Sequence, residues 1–509
     1  MKSIKHLFGK LFGRFTITAV IVLIQAAWFV LLVMKLGDYA EFLNIAFTIL
    51  ALLLVLFVIY RDDTGAYKLG WTLLILLIPI FGALMYLFFG NKRPSKRIRD
   101  KLNPVVETHK NDLIRASRTI DSRSRLMQTV DYIAEKGPFP AWSNTKTKYY
   151  KLGNEAFPDL LEDLKRAEHF IFLEYFIVAQ GKMWDEVHAI LVEKAKAGVD
   201  VRLIYDDVGS MGRVPRGFQS KLDAEGIKTV VFNPLRPILS LVYNNRDHRK
   251  ICVIDGYIAH SGGYNIADEY INEWERFGHW KDSGIRIEGD AVWNFTVTFL
   301  DMWNTFRPTE NNYHVFEPHV HFPDAFDGDG IVQPFSDSPL DDERLGENVY
   351  MEIINQAENY LYIFTPYLIL NHEILSSLQL AAKRGVDVRI VTPRIPDKKI
   401  VFRLTRSYYR PLIEKGVKVY EYTPGFIHSK SFVSDDKVGI VGSINLDYRS
   451  LYLHFECGTL FIDSSVIRDL REDCEATFEL SDQVKLQEIR QGFFGVLIDG
   501  FLRVLSPLF

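Results

Sequence analysis

The chain has 509 residues, 48% of them hydrophobic, with a formal net charge of −4 and three cysteines. This length leaves room for about three domains of ordinary size. An acidic balance argues against a nucleic-acid-binding protein, whose binding domain is usually basic. The cysteines (Cys252, Cys457 and Cys474) form no spacing motif, and their odd number argues against a disulfide scaffold or a cysteine-ligated zinc site.

Three apolar runs without a charged residue occupy the N-terminal part: Phe15–Met34, Phe42–Tyr60 and Leu69–Phe89. Each is close to the roughly 20 residues that a helix needs to cross a hydrocarbon layer. A cleaved signal peptide is the competing interpretation of the first run, but the run is too long and two more follow it. We therefore predict that residues 1–90 form a membrane anchor of two to three transmembrane helices, at about 15–34, 42–60 and 69–89.

A basic segment, residues 91–130, follows the third run and contains eleven Lys and Arg against four Asp and Glu. Such a juxtamembrane linker is typical of contact with anionic lipid headgroups, and a solvated linker is an equal alternative. Around the three runs, lysines and arginines divide seven to six between the two sides of a membrane. The positive-inside rule therefore does not fix the orientation.

From about Lys146 onward, strand-like and helix-like segments alternate, and the order occurs twice. The first copy is predicted as strand 170–178, helix 183–197 and strand 199–204, and the second as strand 360–365, helix 372–383 and strand 386–391. A glycine ends each helix, and both copies continue as Gly-Val-Asp-Val-Arg. The pattern predicts an α/β fold with a largely parallel or mixed sheet in two lobes, residues 131–325 and 326–482, joined by a polar seam near 318–347.

The C-terminal segment, residues 483–509, is unusually apolar from Gly492 onward and has only two charged residues in that stretch. It is a poor candidate for a membrane span. An amphipathic helix lying on a bilayer fits better, and packing against the protein's own transmembrane helices is an equal alternative.

Two stretches 180 residues apart carry one pattern, His-x-Lys-x4-Asp followed by a Gly-(Gly/Ser)-x-Asn turn. The first consists of His248, Lys250, Asp255, Gly262, Gly263 and Asn265, and the second of His428, Lys430, Asp435, Gly442, Ser443 and Asn445. A single His-x-Lys in a strand is usually a coincidence. Two copies with identical spacing indicate a duplicated half-site that closes into one active site.

Two histidines facing one phosphorus atom can divide the roles of nucleophile and proton donor. Lys250 and Lys430 stand two residues from their histidines, so each is expected on the same strand face, where it can hold phosphoryl oxygens. Asparagines after the glycine turns can donate further hydrogen bonds. Asp255 and Asp435 complete the catalytic set, although the turn-like residue after each favours a structural or supporting role over proton transfer.

The doubled motif resembles that of the phospholipase D superfamily, and the sequence segments around it resemble those of bacterial cardiolipin synthases. Those segments are residues 245–250, 262–270, 280–282, 442–450 and 454–456. The resemblance implies two similar α/β lobes in a pseudo-two-fold arrangement, a site at their interface, no metal and no cofactor. It also implies that His248 is the nucleophile and that His428 is the general acid and then the base.

By the same resemblance, Asp282 and Glu456 orient the histidines, as a carboxylate on the far imidazole nitrogen would. They join Asn265, Asn445 and Ser443 in the predicted substrate-binding and orienting set. Asp247 departs from the related sequences, which often have Asn there, and is expected to raise the pKa of His248.

The function implied is a phosphatidyl transferase that makes cardiolipin and glycerol from two molecules of phosphatidylglycerol through a phosphatidyl-histidine. The expected partners are phosphatidylglycerol and anionic membrane lipids, with no nucleic acid. The expected location is a bacterial cell membrane, multi-pass, with the catalytic lobes on the cytoplasmic side.

A phospholipase D or a phosphatidylserine-type transferase would share every catalytic residue. A nuclease on this scaffold is disfavoured by the acidic balance, and a decayed binding protein by the intact His and Lys pairs.

Overall fold

The computed structural model describes residues 40–61, 63–90, 96–115, 124–235, 245–341, 343–489 and 491–508, together with Leu23, Ala27 and Val30. The chain divides into two compact units. The first comprises Met1–Ser95 and Asn233–Asn244, and the second comprises Lys96–Phe232 and Asn245–Phe509.

In the first unit, the described helices are α1 (Ala40–Tyr60), α2 (Gly65–Leu77) and α3 (Pro79–Phe89). The third predicted run is therefore two helices that break at Ile78, because a residue before proline is disfavoured in the helical region. None of the helices in the described ranges combines the length and the apolar character that a membrane crossing requires. The first predicted run lies outside the described residues apart from Leu23, Ala27 and Val30.

The second unit begins with two helices where a linker was expected. They are α4 (Lys96–Arg115) and α5 (Arg125–Lys136). On α4, the His109 ring stacks on Tyr313 with centroids 3.6 Å apart, and its Nδ1 lies 3.3 Å from an Asp301 carboxylate oxygen. Much of the segment predicted as a linker is therefore packed helix.

The first lobe is built on a mixed seven-stranded sheet in the order β1-β9-β7-β6-β2-β3-β4. Its strands are β1 (Thr145–Tyr150), β2 (Phe170–Tyr175), β3 (Asp200–Asp206), β4 (Lys228–Phe232), β5 (Arg246–Asp247), β6 (Lys250–Ile254), β7 (Ile258–Gly262), β8 (His279–Lys281) and β9 (Gly284–Gly289). Its helices are α6 (Gly153–Arg166), α7 (Lys182–Lys196), α8 (Phe218–Ala224), α9 (Val292–Phe306) and α10 (Pro318–His321). Strands β5 and β8 lie outside this sheet.

The second lobe repeats the plan, with the path β10-β17-β16-β15-β11-β12-β13-β18. Its strands are β10 (Ile331–Asp337), β11 (Tyr360–Phe364), β12 (Asp387–Pro393), β13 (Lys418–Tyr422), β14 (Gly425–Ile427), β15 (Ser431–Ser434), β16 (Val438–Gly442), β17 (His454–Ile462) and β18 (Ser481–Gln483). Its helices are α11 (Leu345–Gln356), α12 (His372–Lys383), α13 (Lys399–Ser407), α14 (Tyr409–Ile413), α15 (Tyr448–Tyr452), α16 (Ser465–Glu479) and α17 (Phe493–Val504).

The sequence repeat has a direct structural counterpart. In each lobe an apolar strand leads into a helix, a glycine ends the helix, and a parallel strand follows. Those glycines, Gly198 and Gly385, have φ of 95° and 98°, in the left-handed region that only glycine adopts readily. The prediction of two α/β lobes with mixed sheets is confirmed.

One apolar core runs through both lobes. Helix α9 is buried over its first 14 residues, and its apolar side chains belong to the same cluster as Phe172 of β2 and Phe461 of β17. Because interiors pack as densely as crystals, this shared core fixes the two lobes relative to each other. Any site built at their interface is therefore held rigidly.

Candidate active site

Each motif histidine is paired with a carboxylate from the opposite lobe. His248 Nδ1 lies 2.9 Å from both carboxylate oxygens of Glu456, and His428 Nδ1 lies 2.7 Å from Asp282 Oδ2. Both carboxylates are fully buried, and each histidine is only 7% exposed. A carboxylate on Nδ1 fixes the tautomer that leaves Nε2 with its lone pair and stabilises the imidazolium form.

Two short strand pairings across the lobes explain this exchange. Strand β5 leads to His248 and pairs in parallel with the start of β17, which carries Glu456. Strand β14 leads to His428 and pairs in parallel with β8, which precedes Asp282. The backbone N–H of His248 donates to the Phe455 carbonyl at 2.9 Å, and that of His428 donates to the Lys281 carbonyl at 2.7 Å. Each lobe thus supplies the carboxylate that contacts the motif histidine of the other lobe.

The two motif lysines occupy equivalent places. The ammonium of Lys250 donates to the His248 carbonyl, and that of Lys430 donates to the His428 carbonyl. Each side chain is 1% exposed. Burial lowers the pKa of Lys250 to about 8 and the pKa of Lys430 to about 7. The site therefore holds two desolvated cations whose charge is only marginally retained at neutral pH.

Burial and the neighbouring positive charges disfavour the protonated form of both histidines. Burial, followed by the charges of Lys250 and Lys430, holds the pKa of His248 well below its usual range. Burial and Lys430 lower the pKa of His428 to about 4, against the opposing pull of Asp282. The lysine of each motif therefore lowers the pKa of the other motif's histidine, as expected of groups that share one site.

The net shift of the His248 pKa is downward, opposite to the effect expected of Asp247. The Asp247 carboxylate lies 3.1 Å from Arg249 Nε, and Arg249 also forms an ion pair with Glu174. This buried ion-pair network places the Arg249 guanidinium beside Asp247, next to the motif that contains His248. Burial and the nearby lysines determine the direction of the shift at His248 instead.

Asp255 and Asp435 do not reach the chemistry, which corrects their place in the catalytic set. The Asp255 carboxylate accepts three backbone N–H groups, from Glu168, His169 and Phe170, each at 2.8 Å. Asp435 accepts the equivalent three N–H groups of residues 358–360 at 2.7–2.9 Å. Each aspartate has a left-handed φ in a turn, so both tie a turn to the start of the neighbouring strand.

The asparagines and the serine after the glycine turns bind protein groups. Asn265 Oδ1 accepts the Ile177 N–H at 2.9 Å, and its amide donates to the Tyr270 hydroxyl at 2.8 Å. The Asn445 amide donates to the Ser450 hydroxyl at 3.0 Å. Ser443 donates to Glu456, so it helps to hold the carboxylate that orients His248. These hydrogen bonds brace the loops around the site.

Sequence reasoning missed a set of rings around the two histidines. Phe176 packs edge-on against His248 at 5.0 Å, and Tyr270 does the same against His428 at 5.5 Å. Trp280 lies 5.3 Å from the His428 ring, and His454 lies 5.5 Å from the His248 ring. Trp280 and His454 each stand two residues before an orienting carboxylate, which is the signal that would have found them.

Comparison with known proteins agrees with this geometry. Residues 160–287 and 350–478 match the family described as cardiolipin synthase, PLD-like domain, and residues 46–91 match a phospholipase D-nuclease N-terminal family. The chain belongs to the cardiolipin synthase family. The two matched segments of that family fall one in each lobe, so the duplication read from the sequence is also the family's repeat.

Two relatives and one solved structure show how far the likeness extends. An uncharacterized protein of Streptococcus mutans is 42% identical over 89% of this chain and 99% of its own. A cardiolipin synthase of Alkalihalophilus pseudofirmus is 34% identical over 92% of this chain and 93% of its own. The crystal structure of phosphatidylserine synthase from Haemophilus influenzae has the same fold, with a TM-score of 0.57 over 76% of this chain and 99% of that one, at 13% identity.

Proposed function

We propose that the protein is a cardiolipin synthase that transfers the phosphatidyl group of one phosphatidylglycerol to a second, giving cardiolipin and glycerol. The observation that carries this proposal is the pair of crossed histidine–carboxylate contacts beside two buried lysines. Membership of the cardiolipin synthase family supports the choice of reaction within the phospholipase D-like proteins. The fold alone does not distinguish cardiolipin from phosphatidylserine synthesis.

In the first step, Nε2 of His248 attacks phosphorus while its Nδ1–H stays on Glu456. The N–P bond forms, the P–O bond to glycerol breaks, and His428 gives a proton to the departing glycerol oxygen. Lys250 and Lys430 hold the non-bridging oxygens, on which negative charge develops. The product is a phosphatidyl-histidine on the first lobe, with a neutral His428 opposite it.

In the second step, the free hydroxyl of another phosphatidylglycerol attacks the same phosphorus. His428 takes the proton of that hydroxyl, the O–P bond forms, and the N–P bond to His248 breaks. Cardiolipin leaves, and His428 is again protonated for the next turnover. Because both substrates are lipids, confinement in one membrane raises their effective concentration.

The acid role of His428 depends on the substrate, because its pKa of about 4 leaves it neutral in the ligand-free protein. A phosphodiester bound between the lysines brings a negative charge that opposes their effect. That charge favours the imidazolium and raises the pKa of His428. The proton for the leaving group is therefore taken up as the anionic lipid binds.

We expect log kcat/KM to fall with pH above about 4, because His428 takes up its proton only as the lipid binds, and to fall more steeply above about pH 7, because Lys430, with a pKa of about 7, then loses the proton with which it holds the phosphoryl group. In Lys430→Arg the charge persists at every pH, so the steeper fall is expected only near pH 8, where Lys250 deprotonates. The measurement is the pH profile of initial rates in mixed micelles for both proteins. A wild-type profile that stays level from pH 7 to pH 10 contradicts this assignment.

The proposed function is tested by product analysis. The full-length protein in vesicles is incubated with phosphatidylglycerol labelled separately in its headgroup and its acyl chains, and the products are separated. Cardiolipin and free glycerol in equal amounts are expected. Phosphatidic acid as the main lipid product would instead show a phospholipase D, and a serine-dependent product would show a phosphatidylserine-type transferase.

We also propose that the protein works at a bacterial cell membrane, as a multi-pass protein with its lobes on the cytoplasmic side. The three apolar runs of residues 1–90 support this location, as do the bacterial relatives. Helix α17 supports it independently. Large apolar side chains on α17 are exposed: Phe493, Phe494, Val496, Leu497, Ile498 and Phe501.

The opposite side of α17 is attached to the second lobe. Asp499 binds Arg403 of α13 at 2.8 Å, and Leu502 is buried. Such an exposed apolar face fits a bilayer surface, which would cover the apolar side chains.

A nitroxide at Phe494→Cys is expected to show the oxygen accessibility of a lipid environment in proteoliposomes, because Phe494 is 78% exposed on the face assigned to the bilayer. The three native cysteines are buried, so the label reports on this position. The matched control is Val320→Cys, 54% exposed, which should remain accessible to aqueous reagents. A label at Phe494→Cys that neither oxygen nor aqueous reagents reach would instead indicate packing of α17 against protein.

A further inference from the structure

The two half-sites have different rings at one equivalent position. Trp280 precedes Asp282 by two residues, and His454 precedes Glu456 by two residues. The two rings occupy equivalent places. The ring centroids of Trp280 and His428 are 5.3 Å apart with an interplanar angle of 47°, and those of His454 and His248 are 5.5 Å apart with an interplanar angle of 43°. An indole is a hydrogen-bond donor only, whereas a neutral imidazole has a lone pair that can bind a metal. Only the nucleophile's half-site therefore has a second imidazole.

The ring nitrogens of His454 lack a hydrogen bond. Neither Nδ1 nor Nε2 has such a partner among the described residues, although the residue is only 8% exposed. Its Nδ1 lies 3.6 Å from Glu456 Oε1, beyond hydrogen-bonding distance. A buried polar group without a partner destabilises the fold, so a role that uses these nitrogens is indicated.

His454 completes a set of ligands. One atom each of His248, His454 and Glu456 lie within 4.8 Å of one another. Ligands that bind Zn²⁺ tetrahedrally at about 2.0–2.2 Å are separated by about 3.4 Å. The 2.9 Å from His248 Nδ1 to Glu456 and the 3.6 Å from His454 Nδ1 to Glu456 bracket that separation. Two imidazoles and a carboxylate with an open fourth position are a common zinc ligand set.

We propose that His248, His454 and Glu456 form an inhibitory site for Zn²⁺ or a divalent transition metal with similar ligand preferences. The inhibitory part rests on the proposed function, in which His248 is the nucleophile. A metal on Nδ1 of His248 replaces the proton that Glu456 holds, so the remaining ring proton of the neutral imidazole lies on Nε2. Nε2 then lacks the lone pair that attacks phosphorus, and the first step stops. No step of the proposed reaction uses a metal.

The test measures cardiolipin formation against buffered Zn²⁺ in proteoliposomes, with each protein's rate divided by its own rate in EDTA. The wild type is expected to be inhibited and to recover when EDTA is added. In His454→Asn the inhibitory concentration is expected to rise at least about 10-fold, because one ligand is lost. The matched control is His321→Asn, which alters another histidine pair, since the rings of His169 and His321 lie 4.3 Å apart. This control should keep the sensitivity of the wild type.

Binding of Co²⁺ provides a readout that needs no activity. The wild type and His321→Asn are expected to show the visible absorption bands of four-coordinate Co²⁺, and His454→Asn is expected to lose them. If His454→Asn does not fold, His454→Gln serves in both experiments. Equal inhibition of the wild type and the His454 variant, or equal Co²⁺ bands, overturns the proposal. Failure to form cardiolipin without metal would count against the proposed function, while the Co²⁺ spectra would still decide whether this site binds metal.

Discussion

Replacement of His248 by alanine is expected to reduce cardiolipin formation by about 10⁴-fold or more, since the imidazole that attacks phosphorus and carries the covalent intermediate is removed. Glu456 would keep its buried place but would have no imidazole to orient. The measurement is the initial rate in proteoliposomes with equal amounts of inserted protein. The matched control is His188→Ala, which removes a histidine that pairs with Glu225 at 2.6 Å away from the motifs. That control should retain the wild-type rate.

The same experiment tests the assignment of the nucleophile. Wild-type protein quenched during turnover and kept at alkaline pH, where a phosphoramidate survives, should carry one phosphatidyl group on the peptide that contains His248. In His248→Ala the adduct should disappear along with the activity. If His248→Ala kept a turnover rate within about 10-fold of the wild type, His248 could not be the nucleophile.

Replacement of His428 by alanine is expected to slow turnover by about 10²–10⁴-fold, because neither the leaving glycerol nor the incoming hydroxyl then has a proton partner. The two steps can be separated with a phosphatidyl ester whose leaving group, such as p-nitrophenolate, departs without protonation. His428→Ala should then release one equivalent of p-nitrophenolate in a burst and accumulate the adduct on His248. Intact-protein mass spectrometry at alkaline pH measures that adduct.

A matched variant distinguishes loss of the acid from loss of structure. Asp282→Asn keeps the His428 ring but weakens the group that fixes its tautomer, so a smaller loss than in His428→Ala is expected, without accumulation of the adduct. An adduct found on His428 in the wild-type protein would reverse the order of the two histidines. It would then place the first attack in the second lobe.

Local sequence patterns were sufficient to predict the repeated part of the fold. The predicted strand 170–178 is β2 (Phe170–Tyr175), and the predicted helix 372–383 has those bounds in the structure. The strand is a nearly continuous apolar run, the helix has apolar residues at helical spacing, and a glycine marks where each helix of the repeat ends. Helix α4 was missed because its basic composition is also that of a linker, and only packing against α9 reveals the difference.

The site was predictable in its residue types but not in its pairings. His248 and Glu456 are 208 residues apart, and the two-residue pairing of β5 with β17 that brings them together has no signal in the sequence. The orienting carboxylates came from the family resemblance. Motif spacing placed Asp255 and Asp435 with the catalytic set, because spacing along a chain does not show which way a carboxylate at a turn points. Their oxygens are used by backbone N–H groups instead.

The exchange of carboxylates between lobes has a consequence for synthesis of the protein on the ribosome. His248 emerges early, but Glu456, which holds its proton, follows only after most of the second lobe has been made. An unfinished chain therefore has a histidine that is neither oriented nor faced by an acid. A chain that ends before His428 lacks both that opposing histidine and Glu456, the carboxylate that orients His248. We expect such a chain not to cleave a lipid.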